Sequence, residues 1–277
     1  MLLIDTSYYV FHRFHATLKW FLFQDPDPEH DRDRDLTVPC ANPEFVEAFT
    51  RHFTADVKKW QKRWRVGSNI VFCLDCPRSE IWRNDIYPGY KGTRVTGSSF
   101  DPSIFPIFYT LLMQKGYKTL AGPRLEADDV VYLVINQLLH MDPTIIVLTN
   151  DNDYLQLRSM SDKISIHNMQ TNVDKSDLSA RSKGSPELDL CLKIVMGDAS
   201  DNIPAIAAKM GPKTALKLAT ELTVSPQDTE STHAVIVAKL GGDCLERYKM
   251  NERLVSFQHI PDELAQHFRT SCTINYT

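Results

Sequence analysis

The chain has 277 residues, with 31 Lys+Arg against 35 Asp+Glu and a formal charge of −4. Its 43% hydrophobic and 24% charged residues exclude the composition of a disordered chain and suffice for a buried core, in one large α/β domain or two modest ones. By charge alone, a mildly acidic protein is a poor candidate for gripping a polyanion.

Leu2 to Ile4 is a short apolar run of the kind buried on both faces in a parallel sheet, and it ends at Asp5. That carboxylate comes too early for a signal-peptide core, and no run approaches the ~20 apolar residues of a membrane span. Residues 24–35 (QDPDPEHDRDRD) are charged and aperiodic and read as an exposed acidic loop, here taken as 24–42. A helix is predicted from Pro43 to Arg65. Its basic end, Lys58 to Arg65, offsets the helix dipole, and Trp60 and Trp64 belong to the core.

Asn69 to Leu74 is the second predicted strand and ends at Asp75. Cys73 and Cys76 have the spacing of half a zinc site, but no matching pair follows. The six cysteines are scattered, which implies free thiols in an intracellular, reducing compartment. After Asp75 come Arg78, Trp82, Arg83, Tyr87, Tyr90, Lys91 and Arg94. Cations interleaved with rings suit a single strand, because phosphates pair with the cations while bases stack.

Further helices are predicted from Pro102 to Lys115 and from Ala127 to Leu139, with a strand from Thr144 to Thr149 just before Asp151. Strands alternating with helices imply a parallel sheet with crossovers, whose ligands gather beyond the carboxyl ends of the strands. Residues 168–186 read as a connector to a helical C-terminal part.

The acids recur at these strand ends and helix starts. Glu126, Asp128 and Asp129 open one helix, Asp151 and Asp153 follow a strand, and Asp198 and Asp201 precede Pro204. Each alone reads equally well as a helix cap. With Asp5 and Asp75 they make nine. Two carboxylates ~4 Å apart repel by about 4 kcal/mol at an effective dielectric near 20, so a converged set calls for cations. All-oxygen donors suit Mg²⁺, with Mn²⁺ as the alternative, and nine acids suggest two ions.

At these residues the chain resembles the 5′ nuclease superfamily of flap endonucleases, phage 5′-exonucleases and the 5′-nuclease domain of bacterial polymerase I. The matching blocks are LLIDTSYYVFHRFHA, VFCLDCPRSEIWRNDIYPGYKGTR, LEADDVV, VLTNDNDYLQL, VMGDASDNIPAI with MGPKTALKLA, and ERYKMNERLVSFQHIP. The resemblance implies an α/β, PIN-like parallel sheet wound with helices in residues 1–185, with a gateway and arch at 78–105. A helical region with a helix-three-turn-helix motif follows in 186–277.

It further implies a monomeric nuclease cutting branched, nicked or 5′-ended DNA, or an RNA primer, in replication or repair. Asp5, Asp75, Glu126, Asp128 and Asp129 would surround the first ion, and Asp151, Asp153, Asp198 and Asp201 the second. Tyr90 matches the family's stacking tyrosine, Lys91 and Arg94 its cations near the scissile phosphate, and Arg78 and Arg83 flank them. Lys209, Gly211, Lys213 and Thr214 match the duplex clamp. Lys209 and Ala205 stand where the family has glycines, which puts the hairpin potassium ion in doubt. The rivals are a related enzyme directed at RNA and a silent binding module.

The nine acids also revise the charge argument. Without them the chain holds 26 acids against 31 bases, a balance of +5. The acidic average conceals an acidic pit in a basic frame.

Overall fold

The computed structural model describes residues 1–23, 38–94, 100–224 and 228–272. Residues 24–37 of the acidic loop predicted at 24–42 and residues 95–99 of the predicted arch lie outside them, while Pro39–Ala41 of that loop forms a 3-10 turn. Five parallel strands form the sheet: β1 (Leu2–Asp5), β2 (Ile70–Cys73), β3 (Lys118–Leu120), β4 (Ile145–Leu148) and β5 (Ile164–His167). Their order is β3-β2-β1-β4-β5. Leu2 pairs with Ile70 and Ile146, so the three central strands are in step, and Leu148 pairs with His167.

Alternation along the strands divides the core in two. Leu2, Ile4, Ile70, Phe72, Ile146 and Leu148 face α1 (Thr6–Phe23), α2 (Pro43–Trp64) and α3 (Ile104–Gln114). Leu3, Val71 and Val147 face α4 (Ala127–Leu138) and, through it, α10 (Asp262–Ser271). Both faces are covered, which is why the central strands read as unbroken apolar runs.

After α5 (Val173–Ser176), the remaining helices are α6 (Pro186–Met196), α7 (Pro212–Val224), α8 (Thr229–Leu240) and α9 (Gly242–Val255). They pack a third core that also takes in Ile81 and Tyr90 from the segment after β2. Gateway and C-terminal helices therefore share one hydrophobic cluster. None of the described helices is long and apolar enough to cross a membrane, and all six cysteines are free thiols.

Four helices and strands escaped the sequence reading. Helix α1 starts at Thr6, directly after β1, with no breaker between them to announce a boundary. Strand β3 has three residues, and β5 is an edge strand inside a polar stretch. The stretch read as a connector carries α5 and a 3-10 turn at Leu178–Arg181. Elsewhere the boundaries follow local chemistry. Asn42 caps α2 by accepting from Glu44 N, with Pro43 at the first turn, and Arg65 ends that helix in the left-handed region.

Strand order reverses at β1: the chain builds outward through β2 and β3, then returns to β1's other side with β4. This switch point opens a crevice beyond the carboxyl ends of β1 and β4. An aromatic cluster packs the sheet against α1, α2 and α3. Phe108 on α3 is fully buried against Tyr9, Phe49, Phe53 and Phe72 at ring-centroid distances of 5.1 to 6.0 Å. Truncating Phe108→Ala should lower the unfolding free energy by about 3–5 kcal/mol, measured by urea denaturation.

Candidate active site

The crevice is a cleft of about 1070 Å³. Asp5 closes β1 and is fixed from both sides, accepting from Tyr8 N at 3.0 Å and Thr149 Oγ1 at 2.9 Å. Asp75, just past β2, accepts from Ala127 N at 2.8 Å and from Ser7 Oγ. That bond ties β2 to the start of α4. Glu126 is the N-cap of α4, and Asp129 completes a capping box by accepting from Glu126 N at 3.1 Å. The helix cap and the acid group are thus the same residues.

Beyond β4, Asp151 caps a 3-10 turn by accepting from Asp153 N. Beyond α6, Gly197 turns the chain so that Asp198 meets this turn. Lys193, one helical turn earlier on α6, donates to Asp153 and lies 2.7 Å from Asp198. Two groups of carboxylates could each hold a cation, with ligand atoms within 4.8 Å of one another: Glu126, Asp128 and Asp129 in the first, Asp153, Asp198 and Asp201 in the second. Their hard oxygen donors fit a divalent ion such as Mg²⁺.

Seven of the nine predicted acids line the cleft: Asp5, Asp75, Glu126, Asp128, Asp151, Asp153 and Asp198. The other two lie behind it. Asp129 is fully buried and Asp201 is 6% exposed. Asp201 accepts from Arg94 and from Tyr90 Oη at 3.3 Å.

Arg78, Lys91 and Arg94 reach the cleft. Lys91, in the left-handed region with φ 55°, donates its ammonium to Glu126 and its backbone N–H to Asp201 O at 2.8 Å. Two gateway expectations are corrected. Arg83 is 1% exposed, with its guanidinium bonded to Glu126, Asp129 and Leu254 O, so it offers nothing to a nucleic acid. Tyr90 is 5% exposed. Its hydroxyl lies between Glu126 and Asp201, and Arg83 and Lys91 lie 6.0 and 5.0 Å from its ring centroid, so the ring is packed within the protein rather than presented to a base.

At the other end, Lys209, Lys213 and Thr214 are exposed around the turn into α7. Lys209 adopts φ 59°, the conformation for which glycine is the usual choice. Residues missed from sequence include Lys193 and Arg181. Arg181 donates to Asn150 O, Asn150 Oδ1 and Asn152 Oδ1 at 2.8 to 3.2 Å, bracing the Asp151–Asp153 turn. The signal for Lys193 was a cation amid apolar positions five residues before Asp198. Nothing local marks Arg181.

The two groups differ electrically. Enclosure, then the neighbouring Asp75, raises the Asp5 carboxyl to about 7. Asp75 is raised chiefly by enclosure, and Asp128 well raised by burial and then by Asp129. For Glu126, burial is outweighed by Lys91 and Arg83, which lower it. At Asp198, burial is again opposed, here by Lys193 and Ser200, and the carboxyl is held at about 2.

A parallel sheet with an acid-lined cleft at its switch point defines a class of site fitted to hold hard divalent cations. Residues 1–183 match the family model of the 5′-3′ exonuclease N-terminal resolvase-like domain, and the chain belongs to that family. It is 31% identical over 159 residues to a 5′-3′ exonuclease of Buchnera aphidicola, covering 57% of this chain and 54% of that protein. It is 24% identical over 214 residues to the ribonuclease H of phage T4, covering 72% and 67%. The chain thus spans about half the length of the first curated relatives it matches. In fold it resembles a zinc-bound 5′-exonuclease of phage T5 at TM-score 0.64 and 14% identity, over 98% of this chain and 97% of that one. A T5 flap endonuclease with DNA and metal ions gives 0.61 and 14%, over 98% and 96%.

Two measurements test this geometry. Gly197 has φ 69°, and a Cβ there would lie 2.3 Å from Ile203 O and 2.5 Å from the Pro204 carbonyl carbon. Gly197→Ala should therefore cost roughly 3 kcal/mol or more in urea denaturation. The second concerns pH. Asp5 holds its proton to about 7 in the fold against 3.8 as a model value. Its contribution to stability is full below the lower value and lost as pH rises through the higher one. Asp198 runs oppositely, contributing above 3.8 and losing that as pH falls through about 2. A divalent ion needs the carboxylate form, so its affinity should fall by up to about tenfold per pH unit below neutrality, with proton release in calorimetry. An affinity flat from about pH 8 to about pH 6 would contradict this.

Proposed function

We propose that the protein is a structure-specific 5′ nuclease, hydrolysing DNA phosphodiesters near 5′ ends, flaps and junctions in replication or repair. The observation that carries this reading is the meeting of acids from β1, β2, α4, the turn after β4 and the end of α6 in one cleft flanked by Arg78, Lys91 and Arg94. Membership of the 5′-3′ exonuclease family supports it, as do the relatives among bacterial polymerase I enzymes. The T4 ribonuclease H relative supports an RNA primer as a second substrate.

Asp5, Asp75, Glu126, Asp128 and Asp129 would hold the first of two Mg²⁺ ions in this reading, and Asp151, Asp153, Asp198 and Asp201 the second. What the ions supply when bound is an activated water, a grip on the scissile phosphate and stabilisation of the leaving oxygen. The chain's own groups do the rest. Lys91, 14% exposed at its side chain and fixed by Glu126, presents a positive charge where charge develops on the phosphate. Arg94, 47% exposed, has a guanidinium free enough to steer an incoming phosphate while Asp201 anchors it. Arg78 extends that cationic wall.

Residues 1–185 form the catalytic part in this reading, and 186–277 the part that grips duplex. At the turn into α7, the amides of a 13-residue helix start beside Gly211, Lys213 and Thr214, the arrangement suited to backbone phosphates. The protein works as a monomer in a reducing, intracellular compartment.

Incubation with 5′-flap DNA and Mg²⁺ tests the proposal. Cleavage should require the metal and stop with EDTA. Asp153→Asn should lose roughly 100-fold or more of the rate while binding the flap. Binding without any cleavage by the wild type would refute the enzyme, and preference for single-stranded RNA would favour a ribonuclease.

A further inference from the structure

The last turn of α9 supports both acid groups. A helix leaves its final carbonyls without intrahelical partners, and α9 ends at Leu254 and Val255. Arg83 Nε donates to Leu254 O at 2.8 Å. Gln156 Nε2 donates to Val255 O at 3.1 Å, and its Oε1 accepts from Phe257 N at 3.0 Å. A cation at this end also suits the helix dipole.

Each side chain continues from there into one acid group. Arg83 Nη1 donates to Glu126 Oε2 at 2.8 Å, and Tyr90 Oη reaches the same oxygen at 3.0 Å. With Oε2 pinned by two buried donors, Oε1 is the oxygen turned to Lys91 and the cleft. Arg83 also grips Asp129 through Nη1 at 2.9 Å and Nη2 at 2.7 Å. Asp129 accepts from Trp82 Nε1 at 2.9 Å besides, so both its oxygens are committed. Gln156 Nε2 in turn donates to Asp153 O at 2.9 Å, fixing the backbone of the second group.

We propose that Arg83 and Gln156 are positioning residues that set the separation of the two acid groups by tying both to the end of α9. Asp129 then serves as the counter-ion of Arg83 within the first acid group. The brace extends further, because Asn251, one turn earlier on α9, donates to Ile194 O and Pro204 O at 2.9 and 2.8 Å. The segment leading to the α7 turn and both acid groups therefore share one frame. The importance of this frame to catalysis rests on the nuclease reading above.

The test uses the full chain with Arg83→Lys, which keeps the charge and loses the planar fork, and Gln156→Met, which keeps the length and loses both hydrogen-bonding functions. Manganese binding is measured by calorimetry, flap-DNA binding in calcium, and cleavage in magnesium. Each variant should bind manganese about tenfold more weakly and lose kcat by a similar factor, with KM and DNA affinity within about twofold. If Arg83→Lys does not fold, Gln156→Met decides alone. A folded variant with unchanged manganese affinity overturns the proposal, and so does one whose only change is weaker DNA binding. A wild type that binds manganese but cleaves nothing refutes the activity, while the positioning claim is still judged on the manganese affinities.

Discussion

Mutual repulsion among carboxylates is the constraint on which the rest of the structure depends. Seven of the nine predicted acids share one cleft, and the other two lie directly behind it. A fold can hold such a set only by supplying positive charge at fixed places. The protein does so with Arg83 and Lys91 on the first group and with Lys193 and Arg94 on the second. The four cations come from the gateway and from α6, neither of which belongs to the sheet.

The kinds of cation differ with their tasks. Arg83 is buried, planar and hydrogen-bonded at Nε and both Nη atoms, so it fixes geometry. Lys91 and Lys193 are point charges on flexible stems at the cleft wall, 14% and 21% exposed, where a charge can adjust to what enters. The opposite titration of Asp5 and Asp198 follows from the same layout. Asp5 has no cation among its partners, whereas Asp198 has Lys193.

Much of this was legible in the sequence because its signals are local. Apolar runs ending at Asp5, Asp75 and Asp151 mark strands and their carboxyl ends together, and the α4 acids announce a capping box. What was not legible depends on partners far along the chain. Arg83 reads as a surface cation in a basic stretch, and only Leu254, 171 residues away, and the capping box of α4 make it a buried one. Tyr90 misled for the same reason: its ring and hydroxyl are claimed by Arg83, Glu126 and Asp201. Arg181 acts through two asparagines that carry no charge to advertise the contact.

The net charge of −4 loses its meaning for the same reason. A phosphate in solution at physiological salt senses charges within about 8–10 Å, not the sum over the chain. In the cleft, Glu126 and Asp198 meet cations at hydrogen-bonding distance, so little uncompensated negative charge faces outward from these two. At the turn into α7, Lys209 and Lys213 are exposed beside a helix start whose amides add to the positive potential. A polyanion spanning the two regions would meet first an uncancelled positive edge and then a balanced interior. Segregation of charge, rather than its total, decides whether this surface admits nucleic acid.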